Sequence, residues 1–84
     1  MSLTFTEEEV WRRFEAWLNL YGKETFSSDT LREFGLDKLL RDPAHEIGAI
    51  FQTKLVEGKI RVVGRTRSVI PTNHGREIRL YKLR

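Results

Sequence analysis

The sequence predicts a small α+β domain of three helices followed by a two-stranded hairpin. Three observations carry that expectation. Apolar residues recur at helical spacing from Val10 to Leu55, the period changes to two from Lys59 onward, and glycine and proline punctuate the boundaries. A chain of 84 residues is one domain, residues 1–84, with a correspondingly small core.

Thr6-Glu7-Glu8-Glu9 has the form of a capping box, with acids suited to a helix start. Val10, Phe14, Trp17 and Tyr21 follow at spacings of four, three and four, flanked by Trp11 and Leu18, so a first helix is expected over residues 7–21, closed by Gly22. Both tryptophans read as core and core edge. Thr25-Phe26 is a stub that pairs on the edge of a sheet. Ser27 or Ser28 caps a second helix over 28–34, with Leu31 and Phe34 inward and Gly35 as its end. Leu36, Leu39 and Leu40 form a helical turn that continues the core.

Asp42-Pro43 is the strongest helix start, an aspartate cap before proline at the first helical position. Ile47, Ile50, Phe51 and Leu55 give the third helix its buried stripe, and Gly58 stops it. His45, Ala49, Gln52, Thr53 and Val56 form a small, polar opposite face. From Lys59, alternation predicts a strand closed by Gly64, a basic loop over residues 65–76, and a second strand over Glu77–Leu83. Ile78 and Leu80 are placed on one face of that strand, Arg79 and Tyr81 on the other. Ile60, Val62, Ile78 and Leu80 are expected to bury against Trp17, Phe51 and Leu55, because a two-stranded hairpin is not stable alone.

Charge is divided along the chain. Residues 1–42 carry six basic and nine acidic side chains, a net of −3, whereas residues 43–84 carry nine and three, a net of +6. Lys59, Arg61, Arg65, Arg67, Arg76, Arg79, Lys82 and Arg84 against Glu77 alone give +7 at the end of the chain. Such asymmetry points to one face for a polyanion, and the excess of arginine over lysine favours recognition. The alternative is a solvated strand edge protected by charge.

Helix, strand stub, helix, helix and hairpin in that order are the order of a winged helix-turn-helix. The run Gly48-Ala49-Ile50-Phe51, Gly58-Lys59-Ile60, Val63-Gly64, Ser68, Pro71 and His74-Gly75-Arg76 resembles small winged-helix proteins of phages and related replication or regulatory modules. The likeness covers about the last half of the chain, and the helical order extends it. It implies DNA binding, with the third helix in the major groove and the hairpin loop, the wing, on the backbone or in the minor groove. Arg65, Arg67 and Arg76 are the expected phosphate or minor-groove contacts. Ser68, Thr72 and Asn73 are short backbone-positioning donors. Gln52 and Thr53 sit where base edges would be met, or are ordinary exposed positions. Lys54 is expected to pack its stem while its amine reaches solvent, and Lys59 adds charge at the wing's base. His74 either donates to a phosphate or holds the wing's shape, and His45 lies in the first turn of the third helix, where a helix start accepts an anion.

The expected partner is therefore DNA, duplex favoured. A protein partner is the alternative, through Val69, Ile70 and Pro71 or the acidic first helix; the same apolar run otherwise tucks onto the first helix or wedges into a groove. Monomer and weak homodimer both stay open, Trp11 and Leu18 being the residues considered for a dimer face. Catalysis is not expected, since the basic half offers only Glu46, Glu57 and Glu77 as carboxylates and no nucleophile or phosphate-loop motif is present. The chain has no cysteine, and neither histidine has ligands at metal spacing, so neither a metal nor a cofactor is expected. No apolar run reaches the ~20 residues that span a bilayer. A cytoplasmic protein is expected, nucleoid-associated, or nuclear if the source is eukaryotic or viral.

Overall fold

The first helix starts at a reciprocal pair. The Glu9 N–H donates to Thr6 Oγ1 at 3.2 Å, and the Thr6 N–H donates to Glu9 Oε1 at 3.1 Å, which satisfies two donors that the helix end leaves open. In this computed structural model, which describes residues 5–68 and 76–84, α1 spans Glu7–Leu20. The strand β1 (Thr25–Phe26), helix α2 (Ser28–Glu33), a 3-10 turn (Leu36–Leu39) and helix α3 (Pro43–Val56) follow. Strands β2 (Ile60–Arg67) and β3 (Glu77–Leu83) complete a small α+β domain. Gly35 and Gly58 adopt φ +76°, a left-handed conformation in which a Cβ is strained, and so end α2 and α3 where the sequence places the stops.

The sheet has three antiparallel strands in the order β1-β3-β2, since β1 joins the hairpin on the outer side of β3. Thr25 lies opposite Lys82 and Phe26 opposite Tyr81. Gly64 does not close β2. It follows a register shift between Val62 and Gly64, and the strand continues to Arg67, so the paired arm reaches further into the basic segment than predicted. The residue left unpaired there is Val63, so the irregularity is a bulge within a continuing strand and Gly64 is no stop.

An aromatic cluster joins the layers. Phe14 is fully buried, with its ring 5.2 Å from Phe26, 5.7 Å from Phe34 and 5.9 Å from both Trp11 and Phe51. Tyr81 closes the sheet side, 4.9 Å from Phe51 and 5.9 Å from Phe26. This arrangement corrects three expectations. The buried stripe of α1 is Val10, Trp11, Phe14 and Leu18, so Trp11 and Leu18 are core and cannot form a dimer face. Trp17 and Tyr21 are exposed and pack at the edge on Phe34. On the hairpin it is the Tyr81 side that meets the core: Ile60 is buried, Val62 is exposed, and Ile78 and Leu80 are half-buried.

Lys54 supplies a fourth correction. It is the last residue of the buried stripe of α3, its side chain only 2 % exposed, and its amine does not reach solvent. Nζ donates to Glu8 Oε2 at 2.6 Å and to Glu57 Oε1 at 3.0 Å, 5.6 Å from the centre of the Trp11 ring. This ties the start of α1 to the end of α3. Asp42, for its part, does not cap α3 with its side chain. Its N–H donates to Glu46 Oε2 at 2.9 Å, and its carboxylate lies 2.9 Å from His45 Nδ1.

These contacts predict a stability plateau with two limbs. Burial disfavours the charged Lys54, but its bonds to Glu8 and Glu57 prevail and raise its pKa above the ordinary 10.5. The bond from Lys54 holds Glu8 below the ordinary 4.5, and Glu9 is lowered likewise by the Thr6 backbone and hydroxyl. A lowered carboxyl stabilises fully above pH 4.5 and loses that contribution as pH falls through its folded value; a raised amine stabilises fully below pH 10.5 and loses it as pH rises through its folded value. Melting temperature should therefore be flat between those values and fall outside them. Lys54→Met, which keeps the volume and removes the charge, should flatten the alkaline limb in thermal melts from pH 3 to 12. An unchanged limb would assign it to another group.

Candidate nucleic-acid interface

Opposed residues of an antiparallel pair project to one face, and the bulge decides which residues share it. Arg65 lies opposite Arg79 and Arg67 opposite Glu77, on the face that continues through Val62 and Tyr81 to Ile60 and Leu83. Arg61 opposite Lys82 and Thr66 opposite Ile78 belong to the other face. Because Tyr81 packs on Phe26 and Phe51, the Arg65–Arg67–Arg79 face is turned toward the helices.

Between that face and the helices lies a cleft of about 340 Å³. Ser28 and Arg32 of α2, Ala44 and Gly48 of α3, and Arg76 and Arg79 of the hairpin form its walls, over buried Ile47, Phe51 and Tyr81. Among the described residues, Arg61, Arg67, Arg76 and Arg79 have no carboxylate within 4.0 Å. Arg32 is 3.9 Å from Asp37, and Arg65 Nη1 is 3.3 Å from Glu77 Oε1 with both side chains exposed. An exposed pair of this kind is worth about 0–1 kcal/mol, so it leaves Arg65 open to exchange for a phosphate.

The other expected contacts divide. Gln52 is exposed on α3 one turn after Gly48. Thr53 faces the opposite way, lining a depression with Glu7 and Glu8, where an anion is unwelcome. Lys54 is removed from the interface by burial between its two carboxylates. Lys59 stands at the base of the hairpin, 3.8 Å from Glu57, and the strand from Ile60 to Arg67 puts about 23 Å between it and the far arginines. Ser68 is not a phosphate donor. It is buried, its Oγ donates to Asp29 Oδ1 at 2.9 Å, and its N–H donates to the Arg76 carbonyl at 2.8 Å. His45 is engaged with Asp42. Asn73 and His74, with Val69, Ile70, Pro71 and Thr72, lie outside the described residues.

Arg79 and Arg32 are the cleft-lining arginines that sequence reasoning missed. Arg79 shares the strand face of Tyr81, and the large aromatic was the available sign that this face turns inward before the arginine emerges beyond the core. Nothing local marks Arg32. Among the described residues no cluster of three or more His, Cys, Asp or Glu could hold a metal, and no helix is long and apolar enough to cross a membrane. Compared with protein-family models, curated proteins and solved structures, the chain matches none.

Proposed function

We propose that this domain binds duplex DNA in the manner of a winged helix, with the exposed face of α3 toward the major groove and the hairpin along the phosphates. The observation that carries the reading is the pair Arg76 and Arg79, which line a cleft together with the small residues Ala44 and Gly48 of α3, while Arg67 lies on the strand face that Arg79 shares. A helix flank without bulk admits a strand closely, and guanidinium groups beside it neutralise phosphate in a two-point geometry. Gln52 is then the α3 side chain suited to read a base edge, adenine above all.

The test is an anisotropy titration with duplex and single-stranded DNA at two salt concentrations. With about five phosphates neutralised, the logarithm of affinity should fall against the logarithm of salt with a slope of about −4 to −5, duplex binding more tightly. Docking to another protein is the second reading, favoured by Leu20, Tyr21 and Trp17, which are 74 %, 64 % and 37 % exposed around the end of α1. Absence of DNA binding below high micromolar concentration, with substitution of Leu20 and Tyr21 abolishing capture of a protein, would establish it instead.

A further inference from the structure

Gly48 stands inside α3 for no reason that the described residues supply. Glycine is among the least favourable residues in a helix interior. The helix runs through it from Pro43 to Val56, its φ lies outside the left-handed region, and a Cβ added there would meet no atom of the described residues within 4 Å. Neither conformation nor packing accounts for the missing side chain. The space it leaves opens onto the cleft that holds Arg32, Arg76 and Arg79. Glycine in such a place lets an outside group approach the backbone.

The walls indicate which group. Arg76 and Arg79 have no carboxylate within 4.0 Å among the described residues, and Arg32 has only the long contact to Asp37. Glu77, the one carboxylate among the described lining residues, is engaged by Arg65. The floor is apolar and aromatic, so the cleft combines a cationic rim with a surface suited to a sugar or base.

We propose that the cleft binds one phosphate ester, its oxygens on Arg76 and Arg79 and its sugar against Gly48. If the ester belongs to a DNA strand, the inference deepens the function proposed above and rests on it; the same chemistry is met in a free mononucleotide.

Gly48→Ala and Gly48→Leu test this, because stability and binding should move in opposite directions. Gly48→Ala should raise the melting temperature by about 4–8 °C, as expected for glycine replaced in a helix interior. Gly48→Leu fills the cleft and should weaken binding about 10–100-fold, the loss expected for charge-assisted hydrogen bonds. The probes are duplex DNA, dAMP and inorganic phosphate, followed by NMR through the Gly48 and Arg79 amides. Duplex that shifts both amides, and loses affinity in a folded Gly48→Leu protein, supports the DNA-strand form. Shifts with dAMP, without any DNA binding, support a mononucleotide site and remove the DNA function. DNA binding that leaves both amides unmoved, or a folded Gly48→Leu protein that binds like the parent, overturns the cleft while the DNA function stands. Phosphate alone saturating the site as tightly as dAMP overturns the role of Gly48.

Discussion

Replacing Arg67, Arg76 and Arg79 together with alanine should lower duplex affinity about 500-fold at 0.1 M salt. Each phosphate contact releases condensed counterions and contributes about 0.9 to the salt slope, so three lost contacts should flatten it by about 2.7. Arg79 takes the place that Arg65 held in the sequence reading, because Arg65 is within 3.3 Å of Glu77 and Arg79 has no such partner among the described residues. The control is Arg61→Ala with Lys82→Ala, which removes two charges from the opposite face of the same ladder. The control should cost only a few-fold, through the weaker long-range field. If the control costs as much as the triple variant, charge alone drives binding and the face toward α3 has no special part. Substitution by lysine at the three sites should keep most of the slope and lose affinity through the missing two-point bonds.

Phe14→Ala should remove most of the fold's stability. The ring is fully buried and lies between 5.2 and 5.9 Å from those of Phe26, Phe34, Trp11 and Phe51, so its loss leaves a void bordered by rings that cannot collapse into it. Deleting a buried phenylalanine side chain costs about 3–5 kcal/mol, against a total of about 5–15 kcal/mol for small domains. Urea unfolding should show a much lower midpoint at an unchanged slope, or no folded baseline. Trp17→Ala, at a larger but 37 % exposed side chain, should cost clearly less. A Phe14→Ala loss below about 1.5 kcal/mol would mean that the aromatic cluster is not the centre of the core.

Local signals were readable, and signals carried by distant partners were not. The capping pair of Thr6 and Glu9, the proline at the start of α3 and the glycines after α2 and α3 act within one turn, and each element begins or ends beside them. The β1 stub was legible as well, from two residues set between turn signals. Lys54 shows the limit: a lysine on a buried stripe suggests a solvated amine, whereas its carboxylate Glu8 lies 46 positions away and is brought close only by the packing of α1 on α3. Ser68 fails for the same reason, its bond to Asp29 spanning 39 positions. The hairpin was underestimated because Gly64 has two readings, stop or strand interior, and pairing with Leu80 decides between them. The α1 stripe was displaced by one residue because aromatics lie on both flanks, and only Phe34 packing under Trp17 and Tyr21 shows which flank is the edge.

The Ser68–Asp29 bond has a consequence for the energetics of any encounter. The described part of the arm is braced twice, by its strands on the core and by this tether to α2 just after Arg67, so Arg65 and Arg67 are held before a partner arrives. Little conformational freedom is then left to lose on association, and calorimetry should find a heat-capacity change no larger than the contact area accounts for. Severing the tether with Ser68→Ala would return that freedom to the unbound protein, and the penalty would appear in the entropy of binding and in slower productive encounters.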